Sequence, residues 1–186
     1  NVHGRHKLHF RQAPTGAKKC VIQGGALHPP DTPKGDNAVL EIIIQGRGGQ
    51  GAQTAGNLLA GAFHAQGLHV QCFASYGGAR RGTPVNSYIR ADHRPVRVRC
   101  DIERADAILC FDASLLEGRL LASANADTLI VVNSARSVEE FAQLLPGRRV
   151  IPIDALTISR QHGLGRIVNS ALLGAMVRVI QAPTLA

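Results

Sequence analysis

The sequence predicts an α/β domain of Rossmann-like type, with a mostly parallel sheet, helices on both of its faces and an extended N-terminal arm. Short aliphatic runs alternate with helical stretches from residue 38 onward, and a glycine-rich segment lies between the first strand and the first helix. The chain of 186 residues is 45% hydrophobic and only 18% charged. That length accommodates one well-buried core, and that composition favours a core of small aliphatic side chains.

The first predicted unit contains two strands and the helix that connects them. Residues 38–44 form an aliphatic run typical of a buried strand, residues 51–66 have helical spacing that ends at Gly67, and residues 69–74 form a second aliphatic run. This order predicts a βαβ unit, because parallel strands need a crossover connection. Two further strands or hairpin arms are predicted at 85–90 and 96–98.

A second α/β series is predicted in the rest of the chain. Apolar runs and helical periodicity alternate there in the same way, which extends the parallel sheet. The predicted strands are 107–111, 128–132 and 150–153, and the predicted helices are 114–123, 138–144, 155–161 and 167–180.

Residues 1–37 differ from the domain predicted at 38–186. They have little apolar periodicity and contain four histidines and several prolines and glycines, which predicts an extended arm that lies on a partner or is disordered. Solvated histidines are expected there, because their spacing matches no common metal site. These residues are His3, His6, His9 and His28, with Pro14, Pro29, Pro30 and Pro33.

The net charge of +8 does not favour a nucleic-acid-binding protein. Residues 1–37 hold six Lys or Arg against two Asp, a net of +4, and the other +4 is spread over the remaining chain without a basic run. No apolar run approaches the length of a membrane span, so we expect a cytoplasmic protein with reduced thiols.

The acidic, histidine and cysteine residues give no pattern of catalysis or metal binding. The cysteines form no CxxC pair, so we expect buried free thiols and no zinc or iron-sulfur site held by this chain alone. The aspartates that flank predicted strands are expected to be turn or cap residues, and one late histidine is expected to be a turn residue. These residues are Cys20, Cys72, Cys100, Cys110, Asp101, Asp106, Asp112, Asp154 and His162.

The glycine-rich segment at 46–51 has the spacing GxGxxG between a strand and a helix. Glycines allow a tight turn there, and the helix N-terminus offers free N–H groups to a phosphate or carboxylate. A tight turn without a ligand is the alternative. The segment consists of Gly46, Arg47, Gly48, Gly49, Gln50 and Gly51, with Thr54 one turn into the helix.

Two common ligands of such loops are disfavoured by missing residues. A dinucleotide site needs an acidic residue near the end of the second strand, and residues 70–75 contain none. A P-loop needs Lys followed by Ser or Thr after its last glycine, whereas Ala52 and Gln53 follow Gly51. ATP hydrolysis and nicotinamide chemistry are therefore disfavoured.

A second glycine-rich loop follows the second predicted strand. Arg80 and Arg81 lie among its glycines, and a guanidinium binds phosphate or carboxylate in bidentate fashion. Because loops at the carboxyl ends of strands converge, we expect this loop to face residues 46–51. A solvated surface turn is the alternative. The candidate residues are Ser75, Tyr76, Gly77, Arg80, Arg81 and Gly82.

These two loops resemble the gamma subunit or domain of the pyruvate:ferredoxin (2-oxoacid:acceptor) oxidoreductase family. The resemblance rests on Gly-Arg-Gly-Gly-Gln-Gly at 46–51, on Ser-Tyr-Gly-x-x-x-Arg-Gly at 75–82, and on Asn169 at the start of a helix that contains Leu173-Gly174-Ala175. It covers about residues 39–181. Three motifs in the same order are more specific than one glycine loop.

The resemblance implies a subunit that is inactive alone. It implies that partner subunits called alpha, beta and delta hold thiamine diphosphate with Mg²⁺ and 4Fe-4S clusters, and that together they convert a 2-oxoacid to an acyl-coenzyme A. For this chain it implies assembly and contact with coenzyme A through the two loops and Asn169. The arm at 1–37 has no counterpart in the family pattern, so we expect it to bind an additional electron-accepting subunit.

Two other functions stay open at the level of the sequence. One is a free-standing nucleotide- or coenzyme A-binding regulatory module, which would need no partner. The other is a nicotinamide-dependent dehydrogenase, which the missing acidic residue disfavours. The 2-oxoacid and the terminal acceptor are not encoded in any motif of this chain.

Overall fold

The computed structural model describes residues 39–77 and 82–183, and the backbone of the strands β1 (Lys7–Gln12) and β2 (Lys18–Gln23). Contacts divide the chain into two units, residues 1–32 and 33–186. In the first unit β1 and β2 pair antiparallel. No strand was predicted in this segment, because prolines and glycines surround the two six-residue runs that form β1 and β2. The boundary at residue 37 stays a prediction.

The second unit is built on one six-stranded sheet in the order β4-β5-β3-β6-β7-β8. Its strands are β3 (Leu40–Arg47), β4 (His69–Tyr76), β5 (Pro84–Asp92), β6 (Ala107–Cys110), β7 (Leu129–Asn133) and β8 (Arg149–Ile153). Its helices are α1 (Ala52–Ala65), α2 (Gly118–Ala122), α3 (Val138–Leu144), α4 (Ala155–Gln161) and α5 (Asn169–Ile180), with a 3-10 turn at Ala113–Leu115.

Five of the six strands run in one direction, so the mostly parallel α/β fold is confirmed. The strands β3, β6, β7 and β8 pair parallel, whereas β5 pairs antiparallel with both β3 and β4. The strand predicted at 85–90 thus lies between the two strands of the predicted βαβ unit, which are parallel but not adjacent. Alternation within a strand reveals its buried face and not its neighbours.

Helices cover both faces of the sheet, as predicted. Alternate residues of a strand point to opposite faces. Ile42 and Ile44 of β3 belong to the core under α1 and α5, which also contains Phe63. Ile43 belongs to the core under α2 and α3, which also contains Phe141.

The helix α1 packs unusually close to β5. A Cβ atom added to Gly56 would lie 2.0 Å from Ser87 Oγ, and Ser87 is fully buried. Only a glycine therefore fits at this point of α1. The close approach fixes the start of α1 over the carboxyl end of β3, where residues 46–51 lie.

Two predicted elements and one burial prediction are wrong. Residues 95–99 form no strand, because this mostly exposed segment connects β5 to the next turn. The helix predicted at 114–123 is interrupted, since Gly118 has a φ of 51°, outside the helical region. Of the cysteines whose side chains are described, Cys110 is buried, Cys72 is partly buried and Cys100 is exposed. Cys20 lies where only backbone is described.

Candidate functional site

The glycine-rich segment forms a tight turn at the carboxyl end of β3. Its first two residues, Gly46 and Arg47, belong to the strand, which is longer than predicted. Gly49 and Gly51 have φ values of 95° and 87°, a region that other residues rarely adopt. The Gln50 side chain closes the turn by accepting a hydrogen bond of 2.7 Å from the Arg47 backbone N–H.

Among the described residues, no side chain caps the first N–H groups of α1. Gly51 is the N-cap, and the first turn of the helix contains no acidic residue. In contrast, Ser137 caps α3 and Asp154 caps α4. The first N–H groups of an α-helix lack intrahelical partners and attract anions. This terminus is therefore suited to a bound phosphate or carboxylate.

The second glycine-rich loop contacts the first, as predicted. Gly48 N–H donates to Thr83 O at 3.0 Å, and the Arg47 guanidinium donates to Gly82 O at 3.2 Å. The cause is the antiparallel pairing of β5 with β3, which places Pro84 opposite Arg47. The contact thus arises from β5 and not from neighbouring parallel strands. Arg80 and Arg81 lie outside the described residues.

Residues at the end of β4 link this loop to α1. The Tyr76 hydroxyl donates to Gln53 Oε1, and Gly77 N–H donates to Pro84 O at 2.9 Å. Ser75 is partly buried and Thr54 is exposed, at the end of β4 and in the first turn of α1. These predicted site residues lie around the same turn.

Asn169 at the start of α5 packs on the last glycine of the turn. A Cβ atom added to Gly51 would lie 2.9 Å from Asn169 Nδ2. Asn169 also borders a cavity of about 280 Å³ between α1 and α5, which includes Leu58 and Leu173. The structure therefore brings the three sequence motifs together wherever it describes them.

Arg47 is held by residues that the sequence did not single out as part of this site. Its Nε donates to Asp112 Oδ2 at 2.7 Å, and its terminal nitrogen donates to Ser114 Oγ at 2.9 Å. Asp112 also caps the 3-10 turn, as expected of a cap residue, because its side chain accepts a hydrogen bond from Ser114 N–H. Three segments are thus joined by one guanidinium.

The Asp112 carboxyl has a shifted pKa. Partial burial acts to raise this pKa, but the hydrogen bonds from Ser114 and Arg47 outweigh burial and hold it below its usual value. Burial instead raises the pKa of the nearby Cys110 thiol to about 12. Asp112 is therefore ionised at neutral pH, and Cys110 is a protonated core thiol.

The sequence of this chain matches one known protein family. Residues 41–184 match the family model described as pyruvate ferredoxin/flavodoxin oxidoreductase. The chain belongs to this family. It is 38% identical over 143 residues, 75% of this chain and 77% of the relative, to the pyruvate/ketoisovalerate oxidoreductases common subunit gamma of Pyrococcus abyssi.

Solved structures of family members show the same fold. The pyruvate oxidoreductase subunit PORC of Thermotoga maritima superposes with a TM-score of 0.67 at 31% identity, covering 77% of each chain. The 2-oxoglutarate:ferredoxin oxidoreductase of Magnetococcus marinus, solved with 2-oxoglutarate, coenzyme A and succinyl-CoA bound, has a TM-score of 0.63 at 22% identity; the match covers 75% of this chain and 24% of that one. Within the family this chain corresponds to the gamma subunit of a multi-subunit oxoacid oxidoreductase complex.

The described part of this family member holds no cluster of three or more His, Cys, Asp or Glu side chains that could bind a metal ion. None of its described helices combines the length and apolarity needed to cross a bilayer. Sequence reasoning missed Asp112, Ser114 and Gln53 as parts of the site, because only the fold brings them to the glycine turn.

Proposed function

We propose that this chain is the gamma subunit that contributes the coenzyme A phosphate contacts to a thiamine diphosphate- and iron-sulfur-dependent 2-oxoacid:acceptor oxidoreductase. The reaction class is the oxidative decarboxylation of a 2-oxoacid to an acyl-coenzyme A, with two electrons passed to ferredoxin or another acceptor. Thiamine diphosphate with Mg²⁺ and the 4Fe-4S clusters belong to the alpha, beta and delta partners in this proposal. This chain supplies no catalytic residue.

The observation that carries the proposal is the uncapped start of α1 above the glycine turn. Coenzyme A has a pyrophosphate and a ribose phosphate, and helix N-termini with glycine turns bind such groups through backbone N–H donors. Gly49 and Gly51 have positive φ values that favour glycine, and a glycine has no side chain to keep a phosphate away from its backbone N–H group. Arg80 and Arg81, in the adjoining loop, are proposed as further phosphate ligands.

Arg47 has a different proposed role from the other two arginines. Each of its three guanidinium nitrogens already donates a hydrogen bond within the chain. No described residue accepts a hydrogen bond from the other two of its five N–H groups, which we propose are available to a ligand. We therefore assign Arg47 first to holding the two loops in register, and second to adding positive charge beside the phosphates.

The phosphate assignment is tested from the side of the ligand. Two compounds are tested as competitors of coenzyme A in the purified complex. Desulfo-coenzyme A has the phosphate groups, and pantetheine lacks them. The proposal predicts that desulfo-coenzyme A competes and that pantetheine competes at least about 10-fold more weakly, because charge-assisted hydrogen bonds are lost. Equal competition by the two would contradict phosphate binding by this chain.

The role in assembly is supported by the apolar groove between α1 and α5. Leu58 on its border is 59% exposed, although it lies in the middle of a long helix. We propose that a partner subunit covers it. Leu58→Glu should leave the chain folded and reduce its co-elution with the thiamine-binding subunits, whereas Thr54→Glu one turn earlier should not; equal co-elution of both variants would remove this assignment.

The arm at 1–37 is proposed to hold an additional electron-accepting subunit. Deletion of these residues should release that subunit from the purified complex and leave the alpha, beta and delta subunits bound. Retention of every subunit after the deletion would contradict the proposal.

A further inference from the structure

The two edges of the six-stranded sheet differ in how they are protected. The sheet ends on one side with β8 and on the other with β4. The strand β8 has five residues, and Pro152 is one of them. Ser134 N–H donates to Ile153 O at 3.0 Å, so Ile153 bonds β7 and the backbone of Pro152 is directed outward. A proline offers no N–H group at that position, which hinders the pairing of another strand with β8.

The edge at β4 has no such protection. This strand has eight residues and contains no proline, lysine, arginine, aspartate or glutamate. Its whole length pairs with β5. Among the described residues, only those of β5 form backbone hydrogen bonds with β4. A long edge strand without charges is a template on which another strand can pair.

The register with β5 shows which backbone groups of β4 point outward. Gly77 follows the last residue of β4, and its N–H donates to Pro84 O at 2.9 Å. Hydrogen-bonded and non-hydrogen-bonded pairs alternate along an antiparallel ladder. The odd-numbered residues of β4 therefore bond β5, and the even-numbered residues direct their N–H and C=O groups away from the sheet. The outward residues are Val70, Cys72, Ala74 and Tyr76.

The side chains of β4 divide between the two faces of the sheet. Val70 and Cys72 pack on the core under α1. Phe73 belongs to the opposite face, where it is partly buried and packs on Tyr88 of β5 with the ring centroids 5.2 Å apart. Phe73 is the middle residue of the segment 70–76. The open edge therefore has an incompletely covered aromatic ring at its centre.

We propose that β4 pairs antiparallel with β4 of a second copy of this chain, so that the two sheets continue across a two-fold axis. Outward residues must face outward residues, and residues 70–76 satisfy this when Val70 lies opposite Tyr76 and Cys72 lies opposite Ala74. Phe73 then lies opposite its own copy in a non-hydrogen-bonded pair, where side chains approach each other closely. One surface contacts itself, as a two-fold interface requires.

The composition of this edge favours a second copy as the occupant. Residues 70–76 contain no charged side chain, so the strand and its antiparallel copy oppose no like charges. The exposed α1 residues that bond β4 side chains, Gln53 and Asn57, are also uncharged. Two facing Phe73 rings extend each Phe73–Tyr88 pair across the axis, and aromatic pairs add to the stability of an interface.

Sedimentation equilibrium of the purified full-length chain tests the proposal. Wild type should be a dimer that dissociates on dilution. Ala74→Pro should raise the dissociation constant of the dimer at least about 10-fold, because proline removes an outward N–H group and its ring obstructs the second strand. No hydrogen bond to β5 is lost, so the far-UV circular dichroism should stay that of wild type.

Leu144→Lys, at an exposed apolar position of α3, is the matched control and should leave the dissociation constant unchanged. Leu58→Glu, in the groove between α1 and α5, should leave it unchanged as well. A monomeric wild type, or a folded Ala74→Pro variant that dimerises as tightly as wild type, would overturn the proposal.

Disulfide formation between copies tests the register. Phe73→Cys places two thiols opposite each other on the axis, where the Cβ atoms of a non-hydrogen-bonded pair are about 4.5–5.5 Å apart. Gln71→Cys is the control, because residue 71 lies opposite Ser75 of the second copy. Mild oxidation should link Phe73→Cys into dimers above the wild-type level, and Gln71→Cys should stay at that level. No cross-link in Phe73→Cys, or equal cross-linking of both variants, would overturn the pairing.

Discussion

At the scale of single residues, Asp112 is the group on which the geometry of the glycine turn depends most. Its carboxylate holds Arg47 at 2.7 Å and caps the following turn through Ser114. Both contacts require the ionised form. Because its pKa is lowered in the folded chain, its stabilisation is complete above the ordinary value of 3.8 and is lost as pH falls through the lower folded value.

Asp112→Asn tests this dependence on pH. We expect the variant to unfold at lower denaturant concentration than wild type at pH 7, and the difference to close as pH falls below 3.8 toward the folded pKa. Urea unfolding of both proteins across this range measures the difference. Asp127→Asn, at an exposed loop position, is the control, and its midpoint of urea unfolding should stay close to that of wild type at every pH. If the difference between Asp112→Asn and wild type does not change with pH, the account is contradicted.

The cysteines differ in a way that a chemical probe detects. Burial raises the pKa of Cys110 to about 12, whereas Cys100 is exposed. The thiolate is the reactive form, so Cys100 should be alkylated by iodoacetamide at pH 8 in the native chain and Cys110 should be protected. Mass spectrometry of tryptic peptides measures both. Equal labelling of the two in folded protein would show that Cys110 is not buried.

The contact of Gly56 with Ser87 gives a third test at this scale. Gly56→Ala should destabilise the chain by about 1–3 kcal/mol, because the added methyl group overlaps a fully buried side chain. Gly61→Ala in the same helix meets no atom within 4 Å and should stabilise the chain by about 0.5–1 kcal/mol. Thermal unfolding of both variants measures these effects; a neutral Gly56→Ala would mean that α1 lies farther from β5.

At the scale of elements, the inserted strand β5 depends on Arg90. This residue is 5% exposed, and its guanidinium bonds Glu41 of β3 at 2.8 Å and Cys100 O at 2.7 Å. It thereby ties β5 both to its neighbour and to the connection that follows.

Arg90→Met should therefore destabilise the chain by about 3–5 kcal/mol, because Glu41 is left partly buried without its partner. The surface variant Arg97→Met should change the free energy of unfolding by less than about 0.5 kcal/mol. Chemical denaturation compares them. Restoration of stability in Arg90→Met on adding Glu41→Gln would confirm the unpaired carboxylate as the cause.

Sequence periodicity predicted the elements that obey local rules and missed those that depend on distant contacts. The helix α3 begins after Ser137, which forms a capping box with Glu140, and its predicted bounds match the structure. The position of β5 between β3 and β4 has no local signal. The interruption at Gly118 was missed, because apolar residues continue across it.

The same distinction applies to the candidate site. Glycines that need positive φ and a helix that follows them were readable from spacing, so residues 46–51 were found. Asp112 is 65 positions from Arg47, and only the parallel pairing of β6 with β3 brings them together. Asp112 was recognisable in the sequence as a carboxylate that follows an aliphatic run, but the sequence did not show that its partner is Arg47.

At the scale of the whole molecule, the chain is one subunit of an oxoacid oxidoreductase complex. Its glycine turn lies at the carboxyl end of β3, and this turn is proposed to bind coenzyme A phosphates.

The Michaelis constant for coenzyme A in the purified complex tests the central claim most directly. Arg80→Ala combined with Arg81→Ala should raise it at least about 10-fold, because charge-assisted contacts to phosphate are lost, and should leave the constant for the 2-oxoacid unchanged. Arg104→Ala, at an exposed position before the amino end of β6, is the matched control and should change neither constant. An unchanged constant for coenzyme A in the double variant would contradict the claim.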